Sequence, residues 1–102
     1  MELNYYLAES GLYLCLCGEL DECTAARIRT RLDEIITCHL TAKRVVFDLS
    51  GLKFMDSTGV GVILGRYKKY AKFLPFFIAN PSPAAHRVLG IGGIYDIMPL
   101  CG

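Results

Sequence analysis

A chain of 102 residues with 53% hydrophobic content has material for one domain spanning residues 1–102 and none for a second core. Such a domain buries about 60–65% of the surface its unfolded chain exposes. Eleven Lys and Arg against ten Asp and Glu leave a net charge of +1, too weak a field for nucleic acid or an anionic membrane, so the expected partner is a protein.

Leu3 to Ala8 and Leu12 to Cys17 read as strands, and Glu9-Ser10-Gly11 between them as a hairpin turn, so the sheet is expected to begin antiparallel. Ala25, Ile28, Leu32, Ile35 and Ile36 form the apolar stripe of a helix from about Asp21 to His39, with Arg27, Arg31, Asp33 and Glu34 on its other faces. Val45, Val46 and Phe47 then start a buried strand. Ser50-Gly51 is expected to break it before Leu52, Phe54 and Met55 re-enter the core.

A second helix opens at Asp56-Ser57-Thr58, and Val60, Ile63, Leu64, Tyr67 and Ala71 recur along it at helical spacing. Phe76 to Ala79, entered through Leu74-Pro75, form another strand. Asn80-Pro81 ends it, and a short third helix follows with Ser82 as N-cap and Pro83 at its first position. Gly90, Gly92 and Gly93 make the end of that helix ragged, and Ile94 to Met98 read as a final strand. The expected fold is α/β: a mixed four- to five-stranded sheet packed with helices, its parallel strands joined by right-handed crossovers.

Chemistry concentrates at the start of the second helix. Unpaired N–H groups and the positive end of the helix dipole meet there, favouring negative charge by about 0.3–1 kcal/mol at an exposed site, so a phosphoserine is tolerated. Taken alone, Asp-Ser-Thr-Gly is an ordinary capped helix start, with Asp56 as N-cap. The glycines that follow are less ordinary. Gly59, Gly61 and Gly65 each cost a helix interior about 1 kcal/mol relative to alanine. Their spacing predicts tight packing of Gly61 and Gly65 against the sheet, and open room for a partner beside Gly59.

The segment FMDSTGVGVILGRYKK, with GELDECTA from Gly18 to Ala25 upstream and NPSPAAHRVL from Asn80 to Leu89 downstream, resembles the STAS domain of anti-sigma-factor antagonists of the sporulation type. The pattern covers nearly the whole chain in order. Carried over by position, the resemblance implies Ser57 as phosphoacceptor, with Asp56, Thr58 and Gly59 around it and Gly18, Glu19, Leu20 and Asp21 as a second part of the partner-binding surface. It implies partner switching: the unphosphorylated protein binds an anti-sigma factor that is also a serine kinase and so frees a sigma factor, phosphorylation reverses this, and a PP2C-type phosphatase restores the active form. It further implies no catalysis by the chain itself.

A C-terminal helix usual in that family is expected to be absent, since the sequence stops at Cys101-Gly102, and Phe73-Leu74-Pro75 replaces a link that often carries glycines. A runner-up within the same resemblance is a ligand-sensing STAS module holding a nucleotide or other anion at the Ser57 helix terminus. Neighbouring genes would tell the two apart.

An enzyme reading finds little support. No phosphate-cradling G-x-x-x-x-G-K-[ST] is present. Asp48 reads as a strand-end capping group, His39 and His86 as surface residues at helix positions, and no cofactor or metal is expected. Cys15, Cys17, Cys23, Cys38 and Cys101 are odd in number and lack paired zinc spacing, so they are expected to be buried reduced thiols. No uncharged apolar run approaches ~18 residues and Met1 begins no charged-then-apolar leader, so a cytoplasmic location is expected.

Overall fold

A computed structural model describes residues 1–101, leaving Gly102 outside the described residues. Two strands open the fold, β1 (Glu2–Ala8) and β2 (Gly11–Leu20), paired antiparallel across a two-residue turn. Gly11 has φ +153°, and a β-carbon there would lie 2.7 Å from Arg44 Cγ and 2.9 Å from the Arg44 carbonyl. Only glycine makes this corner. Helix α1 (Ala25–Thr37), strand β3 (Val45–Met55), helix α2 (Ser57–Tyr70), strand β4 (Phe76–Ala79) and helix α3 (Pro83–Ile91) follow.

The sheet has the order β1-β2-β3-β4, with β2, β3 and β4 mutually parallel. Leu12, Leu14 and Leu16 of β2 and Val45, Phe47 and Leu49 of β3 point one way, by the strand period of two. They join Ile28, Leu32, Ile36, Val62, Ile63, Ala85 and Leu89 of the helices in one core. All three helices therefore cover the same face, as successive right-handed crossovers in one direction require. No helix among the described residues is long and apolar enough to cross a membrane.

Four sequence expectations shift. The helix α1 begins at Ala25, because Asp21 to Thr24 are held in a turn: Asp21 Oδ1 accepts from the N–H groups of Cys23 (2.9 Å) and Thr24 (3.2 Å). Ser50-Gly51 does not break β3. The strand carries an extra residue twice, between the pairs Cys15↔Asp48 and Cys17↔Gly51 and again between Gly18↔Leu52 and Glu19↔Phe54, so bulges absorb what looked like a stop. Gly51 sits at the first of them because any β-carbon would collide with Cys17 Sγ.

The expected last strand is a 3₁₀ turn, Ile94–Asp96, entered through Gly93 at φ +68°. The pairing falls later: Ile78 of β4 bridges to Leu100 in parallel. The thiols are not buried either. Cys23 and Cys38 are exposed, Cys15, Cys17 and Cys101 are half-buried, and all five are free.

Candidate functional site

The parallel strands β2 and β3 end side by side at Leu20↔Met55, and the Asp56 N–H reaches back to the Leu20 carbonyl at 3.4 Å. The chain therefore enters α2 against the end of β2. Asp56 is extended (φ −115°, ψ −173°) and its Oδ1 accepts from the Gly59 N–H at 3.0 Å, which makes it the N-cap. Val60 N–H closes the first turn on the Asp56 carbonyl at 3.1 Å. Ser57 is left exposed at the first helical position, with Asp56 doing the capping, and Thr58 beside it is half-buried.

Gly59 corrects one expectation. It is buried, and a β-carbon on it would lie 2.5 Å from the Leu20 carbonyl oxygen, 3.0 Å from Leu20 Cγ and 3.2 Å from Met55 Cγ. The room beside Gly59 is filled by the protein's own β2. Gly61 and Gly65 correct the complementary one: a β-carbon at either meets no atom within 4 Å, so neither packs on the sheet. The close approach in α2 is at Gly59 alone among these three.

The second stretch of expected site residues lies alongside. Gly18 has φ +106° and packs on Met1, with a β-carbon position 3.2 Å from Met1 Cα. Glu19 is exposed, Asp21 is half-buried with its carboxylate held in the turn, and Leu20 is fully buried. Of the eight residues expected to meet a partner, Leu20 and Gly59 do not reach the surface. They touch each other instead, and so set the distance between the Glu19 loop and Ser57. Phe54 was expected in the core and is 46% exposed, opposite Glu19 in the sheet register. Its signal in the sequence was its neighbour: Phe54 and Met55 are adjacent in a strand, so only one can face inward.

What fixes the other end of α2 was not foreseen. Its buried stripe is Gly59, Val62, Ile63, Arg66 and Tyr70, while Val60, Leu64 and Tyr67 of the expected stripe are only partly buried. Arg66, 7% exposed, places Nε 3.2 Å from Asp33 Oδ1 of α1, and the Tyr70 hydroxyl donates to the same oxygen at 2.8 Å. Burial first, then the hydrogen bond to Asp33, push the Tyr70 hydroxyl pKa up to about 12. This polar clamp and the Gly59 contact are the two ends between which α2 is held.

The histidines stand apart from Ser57: His39 Nδ1 lies 2.7 Å from the Ile35 carbonyl at the end of α1, and His86 Nδ1 lies 2.8 Å from the Tyr95 hydroxyl. Cavities of about 350 and 310 Å³ open beside Leu7 and His39 and beside Tyr67 and Pro99, neither lined by Ser57. Among the described residues no group of three or more His, Cys, Asp or Glu could hold a metal ion.

Residues 7–101 match the STAS domain family. The chain is 40% identical over 90 residues to the anti-sigma F factor antagonist of Paenibacillus polymyxa, covering 87% of this chain and 76% of that one. It is 35% identical over 80 residues to the anti-sigma F factor antagonist of Lysinibacillus sphaericus, covering 78% and 68% respectively. The fold superposes on the solved structure of the anti-sigma factor antagonist SpoIIAA in its unphosphorylated form with a TM-score of 0.76, at 26% identity over 99% of this chain and 89% of that one. It superposes on the phosphorylated form of the Bacillus protein with a TM-score of 0.71, at 26% identity over 99% and 92%. The chain is thus a STAS-domain protein and belongs to the anti-sigma-factor antagonist family.

Proposed function

We propose that this protein is a phosphorylation-switched anti-sigma-factor antagonist of sporulation, acting in the cytoplasm. In its unphosphorylated form it binds an anti-sigma factor that is also a serine kinase, and so releases the sigma factor. Phosphorylation of Ser57 ends that binding, and a PP2C-type phosphatase restores it. The chain itself catalyses nothing in this cycle.

The observation that carries the reading is the division of labour at the start of α2: Asp56 satisfies the helix, and Ser57 stands exposed beside it. A phosphate on Ser57 adds about −1.5 to −2 charge and three acceptor oxygens at a helix N-terminus. The helix dipole and free N–H groups stabilise that charge locally, so the fold has no reason to rearrange. The partner sees something else. Bulk and charge arrive next to the Asp56 carboxylate, at the end of β3 where Glu19 and Phe54 are also exposed, on the patch that docks the kinase.

Incubation with its cognate anti-sigma kinase and ATP, followed by mass spectrometry, tests this directly. The expected result is one phosphate on Ser57 and loss of the kinase complex. Phosphate on Thr58 at comparable rate, or a phosphorylated protein that still binds, would overturn it. Amide NMR shifts between the two forms should stay within Asp56 to Val60 and Gly18 to Asp21.

A further inference from the structure

Between Leu52 and Met55, both buried in the core, strand β3 turns two successive side chains outward, Lys53 and Phe54. Strict alternation from Leu52 would put Phe54 inside and Met55 outside. The second irregularity of the β2–β3 register lies here. Gly18 pairs with Leu52 and Glu19 with Phe54, so Lys53 is the extra residue, and its insertion carries Phe54 to the surface. Bulges beside functional sites commonly re-aim a side chain in this way.

The ring so placed is 46% exposed and belongs to no part of the core. Among the described residues, the other exposed large apolar side chains lie on β1, after the ends of α1 and α2, or from the end of α3 onward. Phe54 alone stands where the chain turns into α2. Three positions separate it from Ser57, so their Cα atoms are at most about 11 Å apart. Paired strand backbone holds it and it has only two side-chain torsions, so ordering it against a partner costs little.

We propose that Phe54 is the apolar anchor by which the anti-sigma kinase holds this protein, its ring seated in an apolar pocket of the kinase surface. The inference rests on the switch described under the proposed function and names the contact that gives the complex its affinity. The occupant follows from the place: a kinase that reaches the Ser57 hydroxyl covers the strand end three residues before it. Aromatic side chains are enriched in the buried centre of such interfaces, where their area is removed from water.

The same placement gives phosphorylation a second way to end binding. A phosphate on Ser57 holds water around its charged oxygens, and stripping that water costs far more than an apolar contact returns. Water kept beside Ser57 opens the contact at Phe54.

Calorimetric titration against the purified anti-sigma kinase, with ADP in place of ATP so that no phosphate is transferred, tests the anchor. Phe54→Ala should weaken the complex at least about tenfold, and Phe54→Leu, which keeps an apolar side chain, should recover most of that loss. In steady-state phosphorylation of Ser57 the alanine should raise KM by a similar factor and leave kcat within about twofold, as loss of a binding contact requires. Phe73→Ala, which removes a 55% exposed ring beyond the far end of α2, should match the wild type in both assays. Thermal melts of these variants should match the wild type, since no core contact is lost; if Phe54→Ala fails to fold, Phe54→Thr, a better strand former, takes its place. A Phe54→Ala protein that binds as tightly as the wild type, or that lowers kcat at unchanged KM, overturns the anchor. So does an equal loss of binding in Phe73→Ala. These outcomes leave the switch standing as long as the wild type binds the kinase and takes phosphate on Ser57; a wild type that does neither removes the switch and the anchor with it.

Discussion

α2 and α3 each follow a parallel strand, and each starts on a polar cap in extended backbone, yet only one leaves its serine exposed. At α2 the cap is Asp56, whose carboxylate takes the Gly59 N–H at 3.0 Å, and Ser57 comes one residue later, exposed. At α3 the cap is the serine itself. Ser82 Oγ takes the Ala85 N–H at 3.1 Å, its own N–H is bonded to the Leu49 carbonyl at 3.2 Å, and it is 9% exposed. A hydroxyl committed to closing a helix and tied into the sheet has no face left for chemistry. Placing a serine one position after an acidic cap keeps the helix closed and the hydroxyl free.

The sharpest test of that contrast is a pair of alanines. Ser57→Ala should abolish phosphate incorporation entirely while leaving kinase binding intact, and its stability should stay within about 0.5 kcal/mol of wild type, as for an ordinary surface change. Mass spectrometry and thermal melts read both. Ser57→Asp should mimic the modified form only in part, because a carboxylate carries less charge and fewer acceptors than a phosphate.

Gly59→Val comes next in size. Its β-carbon would be driven into the Leu20 carbonyl, a backbone atom that cannot turn aside, so overpacking should cost about 1–3 kcal/mol. Urea denaturation should show the loss. Partner binding should fall with it, because the Glu19 loop and Ser57 are spaced by this contact. Ser82→Ala should then cost about 1 kcal/mol, the ordinary value of a lost cap, and leave phosphorylation at the wild-type rate. Loss of phosphate incorporation in Ser82→Ala would break the contrast between the two helix starts.

How far the sequence foretold this arrangement depends on what each residue answers to. The helices and most strands were legible because their signals are local: the stripe Ala25, Ile28, Leu32, Ile35, Ile36 is the buried face of α1, and Ser82-Pro83 opens α3 as read. Asp56 as cap was legible for the same reason. The bulges of β3 were not, because Ser50-Gly51 in isolation is a turn signal, and only pairing with β2 converts it into an irregularity within a strand. The glycines failed in the same way. Four-residue spacing puts Gly61 and Gly65 on one face but does not say which way the face turns, and that rotation is set by Arg66 meeting Asp33, a partner 33 positions earlier in the chain.

The smallest effect follows from that rotation and tests it. A β-carbon at Gly61 or at Gly65 meets nothing within 4 Å, and both residues sit in the interior of α2 with ordinary helical backbone. Alanine at either position therefore adds no clash and removes the conformational freedom that glycine gives the unfolded chain, so each substitution should raise stability by up to about 1 kcal/mol. Tight packing of these glycines against the sheet would give the opposite sign. Thermal melts of Gly61→Ala and Gly65→Ala decide between the two orientations: a rise at both positions holds α2 as described, with Gly59 as its point of close approach, and a fall at both would mean that the helix is turned to bring Gly61 and Gly65 inward.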